Sequence, residues 1–399
     1  MQPLVGNIYF TSSEFDAQLL RSLSKCAAKG AEYGECMASA FQIKDGYYNS
    51  WHKVWNQLSH RIKQIAIDCE AKKHFVSAAQ AYLRSAEYFR QTEFFLRDNL
   101  KDPRILELAN QIQSCFQRAI PHLPYKITSV KIPFQNQFFY GYFCQPKTIS
   151  ANPITILYPS GYDSFAEELY FTAVDFLDRG FNVLIFDGPG QGQTLRRNHI
   201  YMRPDWENVL PTVVDFTLQL PDVRKDKLVL LGRSFGGWLA PRAASGEHRL
   251  AGLICDPGQW DLYIAVKNRL PQHVMQLVEN QQDDLANTEF FDKLDIHQRF
   301  FFLSRCQVHG FSSIPEWIRS LKDFTLENRA ELISCPTLVC DATAEDKNKG
   351  QANVLYAALR CSKQLITFNS AEGAGDHCEM GTPLLFAQRV CGWIDETLI

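Results

Sequence analysis

The 399-residue sequence lacks any long hydrophobic run, and its unbroken apolar stretches, such as 183–186 and 228–231, are only a few residues long. A helix that crosses a membrane needs about 20 apolar residues, so we expect no membrane span. The first thirty residues carry several charged side chains and contain no compact apolar region. We therefore predict that there is no signal peptide and that the protein is cytoplasmic.

The sequence also lacks an excess of charge of either sign. Its 41 Lys and Arg residues nearly balance 44 Asp and Glu residues, which gives a formal net charge of −3. Because there is no basic block, we expect no nucleic-acid partner. The composition is 46% hydrophobic and 21% charged, which is typical of a chain that buries a large core. The length predicts two or three structural units.

Paired cysteines are absent as well. None of the 12 cysteines has a partner at C-x-x-C spacing, so the ligand pairs of a zinc site are missing and we predict no metal site. Spread over a long chain, they are expected to be reduced thiols of a cytosolic protein. The glycine-rich loop 186–193 lacks the G-K-[ST] ending of a phosphate loop. We expect this loop to be structural and predict no cofactor.

The pattern along the chain indicates an α/β protein. Residues 1–125 show helical periodicity, and 126–146 alternate in a way that predicts a β-hairpin. Strand-like and helix-like runs then alternate, which is typical of a mostly parallel sheet with helices on both faces. Residues 262–330 are helical and interrupt this alternation. The predicted division is thus a helical domain 1–125, a sheet domain in two parts, 126–261 and 331–399, and the insertion 262–330.

The strongest motif is G-x-S-x-G at 232–236, with Ser234 at its centre. A strand-like run precedes it and a helix-like run follows, which is the context of a nucleophile elbow. Such a turn holds the serine in strained backbone geometry, and neighbouring side chains would collide with it. The serine hydroxyl then lies beside a helix N-terminus, whose N–H groups favour developing negative charge. Ser234 is therefore predicted to be a nucleophile, and the alternative is an ordinary Gly-Ser turn.

A serine nucleophile needs a base, and His377 is the candidate. It lies in the glycine-rich loop 370–379, which follows the last strand-like run. This loop should therefore reach the same carboxyl edge of the sheet as Ser234. The other histidines lie in helical or polar segments and are expected to be surface or structural residues, with contact to the substrate as the alternative for one in the insertion.

The third member of such a site is a carboxylate that orients the imidazole. Three carboxylates follow the strand-like run 337–340, namely Asp341, Glu345 and Asp346. The usual loop length favours Glu345, with Asp346 as the close alternative. Asp341 lies at the end of the strand, and we expect this position to come too early in the chain for its carboxylate to reach over the loop to the histidine.

An oxyanion hole needs two N–H donors. One should be the amide of Phe235, directly after the nucleophile. The other should come from the loop 159–164, where Gly161 allows the backbone to turn beside the substrate and the amide of Tyr162 is the candidate donor.

Together these features resemble the α/β-hydrolase family, in which nucleophile, acid and histidine follow one another in this order. The chain is similar to one branch with an N-terminal helical domain, which includes 2,6-dihydroxy-pseudooxynicotine hydrolases and fungal pigment-pathway hydrolases that shorten polyketides. The resemblance covers most of the chain. It depends on S-F-G-G-W-L-A-P-R-A-A at 234–244, C-P-T-L-V-C-D at 335–341, K-G-Q at 349–351 and E-G-A-G-D-H-C at 372–378.

The resemblance implies an α/β-hydrolase fold with Ser234 as nucleophile and His377 as base. Glu345 matches the position at which the family usually has aspartate. Relatives often carry an additional carboxylate near the pocket, and Asp261 is the candidate here for contact with the substrate. Its alternative role is to cap the first helix of the insertion.

The activity implied is that of a serine hydrolase acting through an acyl-enzyme on a small ester, amide or 1,3-diketone. The N-terminal domain and the insertion are expected to form a lid over an apolar or aromatic acyl or ketone substrate. The weak net charge suggests a largely uncharged substrate. An acyltransferase or cyclase with the same residues, and a binding module without turnover, are the alternatives. The sequence leaves open which bond is cleaved and whether the chain forms a homodimer.

Overall fold

The computed structural model describes residues 3–148, 153–346 and 348–398. The first part of the chain is helical, as the sequence predicts. Its helices are α1 (Ser13–Leu23), α2 (Tyr33–Ala40), α3 (Tyr48–Ala71), α4 (Phe75–Glu93) and α5 (Pro103–Ala119). Within the described residues, no helix has both the length and the apolar character needed to cross a membrane.

The strands that follow form a sheet with the order β1-β2-β4-β3-β5-β6-β7-β8. They are β1 (Lys126–Phe134), β2 (Gln137–Gln145), β3 (Thr155–Pro159), β4 (Asn182–Asp187), β5 (Leu228–Arg233), β6 (Gly252–Asp256), β7 (Thr337–Ala342) and β8 (Lys363–Phe368). The hairpin β1–β2 is antiparallel and pairs antiparallel with β4, whereas β3 to β8 pair in parallel. The predicted hairpin and the mostly parallel α/β sheet are both confirmed.

Helices connect the parallel strands, as parallel pairing requires. Those of the sheet domain are α6 (Ala166–Leu177), α7 (Gly192–Asn198), α8 (Leu210–Thr217) and α9 (Gly236–Ala244). Between β6 and β7 lie α10 (Leu262–Lys267), α11 (Gln272–Glu279), α12 (Asp283–Glu289), α13 (Ile296–Val308) and α14 (Ile314–Ser320). The chain ends with α15 (Gln351–Ala358) and α16 (Pro383–Leu398).

The core lies on both faces of the sheet, because successive residues of a strand point to opposite sides. Ile156, Val229 and Leu231 pack in one cluster with the N-terminal helices, α6 and α16. Leu157 and Leu230 pack in a second cluster with α8, α9 and the helices of the insertion. The N-terminal helices and the insertion are therefore anchored mainly to opposite faces of the same sheet.

The helical segment that precedes β5 is divided in two. A 3₁₀ turn, Trp206–Asn208, comes first, and α8 begins only at Leu210. Pro211 lies in the first turn of α8, where its missing N–H is no loss, but it cannot bond back to the preceding turn. The proline thus separates the two segments.

Pro241 lies inside α9, where proline ordinarily costs about 3 kcal/mol because it removes a helical N–H. The carbonyl that loses its helical donor is that of Gly237, four residues earlier. The backbone N–H of Gln259, in the loop after β6, donates to this carbonyl at 3.3 Å. The missing hydrogen bond is thus supplied from another segment, which explains how the helix accommodates the proline.

Buried ion pairs connect the N-terminal helices to the sheet domain. Glu93, at the end of α4, is fully buried and accepts hydrogen bonds from Nε of Arg97 at 2.6 Å and from Nε of Arg196 of α7 at 2.8 Å. Burial alone would raise the pKa of Glu93, but the two guanidiniums lower it below its ordinary value. Lys25 contacts Glu168 of α6 at 2.7 Å in a second such cluster. Charged contacts, and not only apolar packing, therefore hold the two parts together.

We predict that Glu93→Gln lowers the free energy of unfolding by about 3–5 kcal/mol, because it leaves two buried guanidiniums without their anion. Urea unfolding at pH 7 measures this. The folded-state pKa of Glu93 is lowered, so its contribution is present above the ordinary pKa of 4.5 and is lost as the pH falls through the folded value. The control is Asp226→Asn, which breaks an exposed pair and should change nothing measurable. Equal effects of the two variants would contradict the assignment.

Candidate active site

Ser234 lies at the turn between β5 and α9 with a φ angle of 56°, in the left-handed region that non-glycine residues rarely adopt. A Cβ atom at Gly232 would lie 2.0 Å from the carbonyl oxygen of Gly236, and one at Gly237 would lie 1.9 Å from that of Pro257. At Gly236 a Cβ would meet no atom within 4 Å outside its own helix turn. The steric need for glycine thus falls on positions 232 and 237, and not on the last glycine of the motif.

His377 contacts both Ser234 and Glu345. Its Nε2 lies 2.9 Å from Oγ of Ser234, and its Nδ1 is hydrogen-bonded to Oε2 of Glu345. With the proton on Nδ1 and donated to the carboxylate, Nε2 is free to accept the serine proton. Glu345 is 5% exposed, and its other oxygen accepts from the amide of Asn348 at 3.2 Å. The three residues therefore form one chain of hydrogen bonds.

The two alternative acids lie elsewhere. Asp346 is exposed. Asp341 is half-buried at the end of β7, and its carboxylate accepts the amide of the next residue, Ala342, at 3.0 Å. Of the three carboxylates that the sequence offered, Glu345 is the one that the structure brings to His377.

The surroundings of His377 favour its protonated form. Burial alone would lower the pKa of His377, but the adjacent Cys378 and the Glu345 carboxylate outweigh burial and raise it to about 10. The imidazolium that would form on proton transfer from Ser234 is therefore stabilised in advance.

Arg233, the variable residue before Ser234, holds the histidine loop. Its Nε donates to Oδ2 of Asp256 at 2.6 Å, and an Nη donates to the carbonyl oxygen of Cys378. Its guanidinium also stacks on Phe386, with Cζ 4.0 Å from the ring centroid. Burial and the nearby Asp256 raise the pKa of the buried Glu379 well above its ordinary value. Arg233 occupies a position of the motif that tolerates any residue, and in this chain it links the turn of Ser234 to the histidine loop.

The two residues predicted to supply the oxyanion amides lie side by side. The rings of Tyr162 and Phe235 stack with centroids 4.0 Å apart. A Cβ at Gly161 would lie 3.3 Å from Cβ of Ser234, which shows how closely the loop after β3 approaches the elbow. Neither backbone N–H has a hydrogen-bond acceptor among the described residues, so both are free to donate. The arrangement can present two donors beside the serine.

His309, at the end of α13, was not singled out by sequence reasoning, which grouped it with surface and structural histidines. Its Nε2 is hydrogen-bonded to the hydroxyl of Tyr162 at 2.6 Å. Burial, together with Arg305, lowers the pKa of His309 to about 3, so the ring is neutral near pH 7. No local motif marks His309, because it reaches Tyr162 only through packing of the insertion.

A cavity of about 220 Å³ opens beside Ser234 and His377. Its apolar and aromatic lining includes Tyr158, Leu169, Phe171, Leu262, Val266 and Phe301. Asp261 is not among the described residues that line the cavity. Its carboxylate accepts a hydrogen bond from the N–H of Ile264 at 2.7 Å and so forms the N-cap of α10. The structure thus gives Asp261 the capping role. Among the described residues, no three His, Cys, Asp or Glu side chains are grouped so that they could hold a metal ion.

We predict that Gly232→Ala and Gly237→Ala destabilise the elbow strongly, because each new Cβ would fall within 2.0 Å of a backbone oxygen. Both variants should have a clearly lower thermal unfolding midpoint. Gly236→Ala is the matched control within the same motif and should unfold at the wild-type temperature. A Gly236→Ala protein as unstable as the other two would contradict the steric argument.

The chain is similar over nearly its whole length to known hydrolases. The chain is 31% identical to the hydrolase LUC6 of Fusarium sp and 30% identical to the 20-hydroxy-prefusarin hydrolase FUS2 of Gibberella moniliformis, in each case over 97% of both chains. The solved structure of a 2,6-dihydroxy-pseudo-oxynicotine hydrolase superposes with a TM-score of 0.74 at 20% identity, covering 94% of this chain and 96% of that one. This structural likeness confirms the predicted fold.

A family model identifies the family of the chain. Residues 158–389, from the end of β3 into α16, match the model described as the alpha/beta hydrolase family. The matched range contains the elbow, the insertion and the loops of Glu345 and His377. The chain belongs to the alpha/beta hydrolase family.

Proposed function

We propose that the protein is a serine hydrolase that uses Ser234, Glu345 and His377 on a small carbonyl substrate. The observation that carries this proposal is the chain of hydrogen bonds from Oγ of Ser234 through both ring nitrogens of His377 to Glu345. The three side chains come from separate loops at the carboxyl edge of the sheet, and two of them, Ser234 and His377, line one cavity.

In the first step, Oγ of Ser234 attacks the substrate carbonyl while Nε2 of His377 takes its proton. Glu345 stabilises the resulting imidazolium. The carbonyl oxygen becomes an oxyanion, and the amides of Phe235 and Tyr162 donate to it. The raised pKa of His377 makes this proton transfer more favourable.

In the second step, the imidazolium returns the proton to the leaving group. This group is an alcohol from an ester, an amine from an amide, or the enolate carbon or oxygen of a ketone fragment from a 1,3-diketone. Water then attacks the acyl-enzyme, again with His377 as base, and releases a carboxylic acid. Attack by another nucleophile at this stage would make the same residues an acyltransferase or a cyclase.

The relatives support a small molecule as substrate. One is named for 20-hydroxy-prefusarin, and the superposed structure is titled for 2,6-dihydroxy-pseudo-oxynicotine. The cavity also fits a small substrate, since its lining is largely apolar and aromatic.

We propose as the domain division a helical domain 1–125, a sheet domain 126–261 and 331–399, and the insertion 262–330. Residues of all three line the cavity, so the first and the last act as its lid.

We predict that a fluorophosphonate probe labels the wild-type protein and that Ser234→Ala abolishes both labelling and aryl-ester hydrolysis. The loss should be about 10⁴-fold or more, because no other group takes the place of the nucleophile. Ser164→Ala is the matched control, since Ser164 also lines the cavity, and it should still be labelled. Absence of labelling in folded, wild-type protein would contradict the proposed function.

A panel of aryl esters, aryl amides and 1,3-diketones, assayed with wild type and Ser234→Ala, identifies the bond. Hydrolysis in ¹⁸O-labelled water should place the label in the carboxylic acid product. A product that carries an added thiol, amine or alcohol in preference to ¹⁸O would instead assign the chain as an acyltransferase.

We predict that kcat/KM rises with pH, because the base form of His377 is neutral and its raised pKa moves the rising limb above the ordinary value of 6.5. Glu345→Gln removes a charge that raises this pKa. It should move the limb to lower pH and reduce the plateau about 100-fold or more. The full pH profiles of both proteins measure this. A limb in the same place in the variant would contradict the role of Glu345.

A further inference from the structure

Two arginines of the insertion line the cavity beside Ser234. Arg305 belongs to α13, and Arg269 follows α10. Both contact the same ring, since Cζ of Arg305 lies 4.1 Å and Cζ of Arg269 lies 4.9 Å from the centroid of Phe301. One phenylalanine thus holds two guanidiniums near each other at the cavity wall.

In the described part of the chain, neither guanidinium forms an ion pair within 4.0 Å, and the carboxylates of Asp346 and Glu345 act on Arg269 only over a longer distance. Nη1 of Arg305 donates to the carbonyl oxygen of Phe301 and to Oγ of Ser304, both at 3.2 Å and both within its own helix. Several N–H donors of the pair therefore remain available to a ligand.

The other cations of the cavity are already neutralised. Arg21 and Lys25 contact Glu168 at 2.6 and 2.7 Å, and Arg233 contacts Asp256 at 2.6 Å. Among the described residues, the arginines of the cavity that form no ion pair within 4.0 Å are therefore the two that the insertion supplies.

The position of Arg269 also suits a substrate contact. Arg269 and Phe301 line both the cavity and an adjacent groove of about 690 Å³, whose walls include residues 11–14 and 290–302. Arg269 is exposed, whereas Arg305 is half-buried. Arg269 thus lies where this groove, whose walls also carry Glu14, Asp45 and Asp295, adjoins the cavity, and Arg305 lines the cavity alone.

The two charges disfavour each other, since partial desolvation of its guanidinium and the neighbouring Arg305 lower the pKa of Arg269 against the opposing effect of the Asp346 and Glu345 carboxylates. Arginine nevertheless stays charged in proteins, so the repulsion is not relieved by loss of a proton. A carboxylate would relieve it, because its two oxygens accept from the planar N–H forks of guanidinium groups.

We propose that Arg269 and Arg305 form an anion subsite that holds a carboxylate of the substrate while its reacting carbonyl lies at Ser234. This inference rests on the proposed hydrolase function and specifies its substrate class. Apolar side chains such as Leu262 and Val266 line the same cavity. The expected substrate is therefore an apolar carbonyl compound with one acidic end, in contrast to the uncharged substrate that the net charge suggests.

A matched pair of esters tests the subsite. Mono(4-nitrophenyl) adipate has a free carboxylate, and 4-nitrophenyl methyl adipate is the same chain with that charge removed. Arg269→Gln and Arg305→Gln should each raise KM for the acid about tenfold and change KM for the methyl ester less than twofold. High salt should weaken the preference for the acid. Arg299→Gln, an exposed residue of the same helix, is the control and should change neither value.

Equal losses on both esters, or no loss on the acid, would overturn the subsite. A binding measurement separates this outcome from failure of the proposed hydrolysis. Calorimetry with Ser234→Ala protein should show that monomethyl adipate binds, that dimethyl adipate binds at least about tenfold more weakly, and that Arg305→Gln removes the difference. Absence of this difference would reject the subsite even if the esters are hydrolysed. Its presence without hydrolysis would reject the proposed function alone.

Discussion

The close packing of β5 against α9 is the constraint on which the rest of the site depends. Ser234 can stand in the left-handed region only because Gly232 and Gly237 let two backbone oxygens approach to where a side chain would be. The same approach brings the loop after β6 against α9, where Gln259 supplies the hydrogen bond that Pro241 removes. The strained serine and the irregular helix are thus stabilised by one set of contacts.

Polar and charged contacts connect this turn to the loops that carry His377 and Glu345. Arg233 holds the histidine loop through the carbonyl of Cys378 while pairing with Asp256. The acid loop is joined to the histidine loop by the amide of Ala344, which donates to the carbonyl of Gly375 at 2.9 Å. Apart from two 3₁₀ turns in the histidine loop, Ser370–Glu372 and His377–Glu379, these loops are irregular, so these contacts, and not propensity, set the distance from His377 to the serine.

The sequence was sufficient wherever the signal is local. Strand periodicity, the glycines around Ser234 and the length of the loop that carries Glu345 each depend on neighbours in the chain, and the structure has these residues in the expected elements. The roles of Asp261 and Arg305 could not be read in this way. A helix cap and a ligand contact both suit an Asp after a strand, and only the packing of the insertion decides between them.

Helix α13 would connect the proposed substrate contact at Arg305 to the proposed chemistry at Ser234. His309, which follows the last residue of α13, is hydrogen-bonded to the hydroxyl of Tyr162, and the ring of Tyr162 stacks on Phe235. The insertion is therefore connected, through Tyr162, to both residues that are proposed to supply the oxyanion donors. Arg305, one turn earlier, lies 5.6 Å from the same tyrosine ring. A substrate that engages Arg305 would therefore hold α13 against Tyr162 while the amides next to Ser234 receive the oxyanion. In such an arrangement, binding energy from the remote end of the substrate contributes to orienting the donors at the reacting carbon.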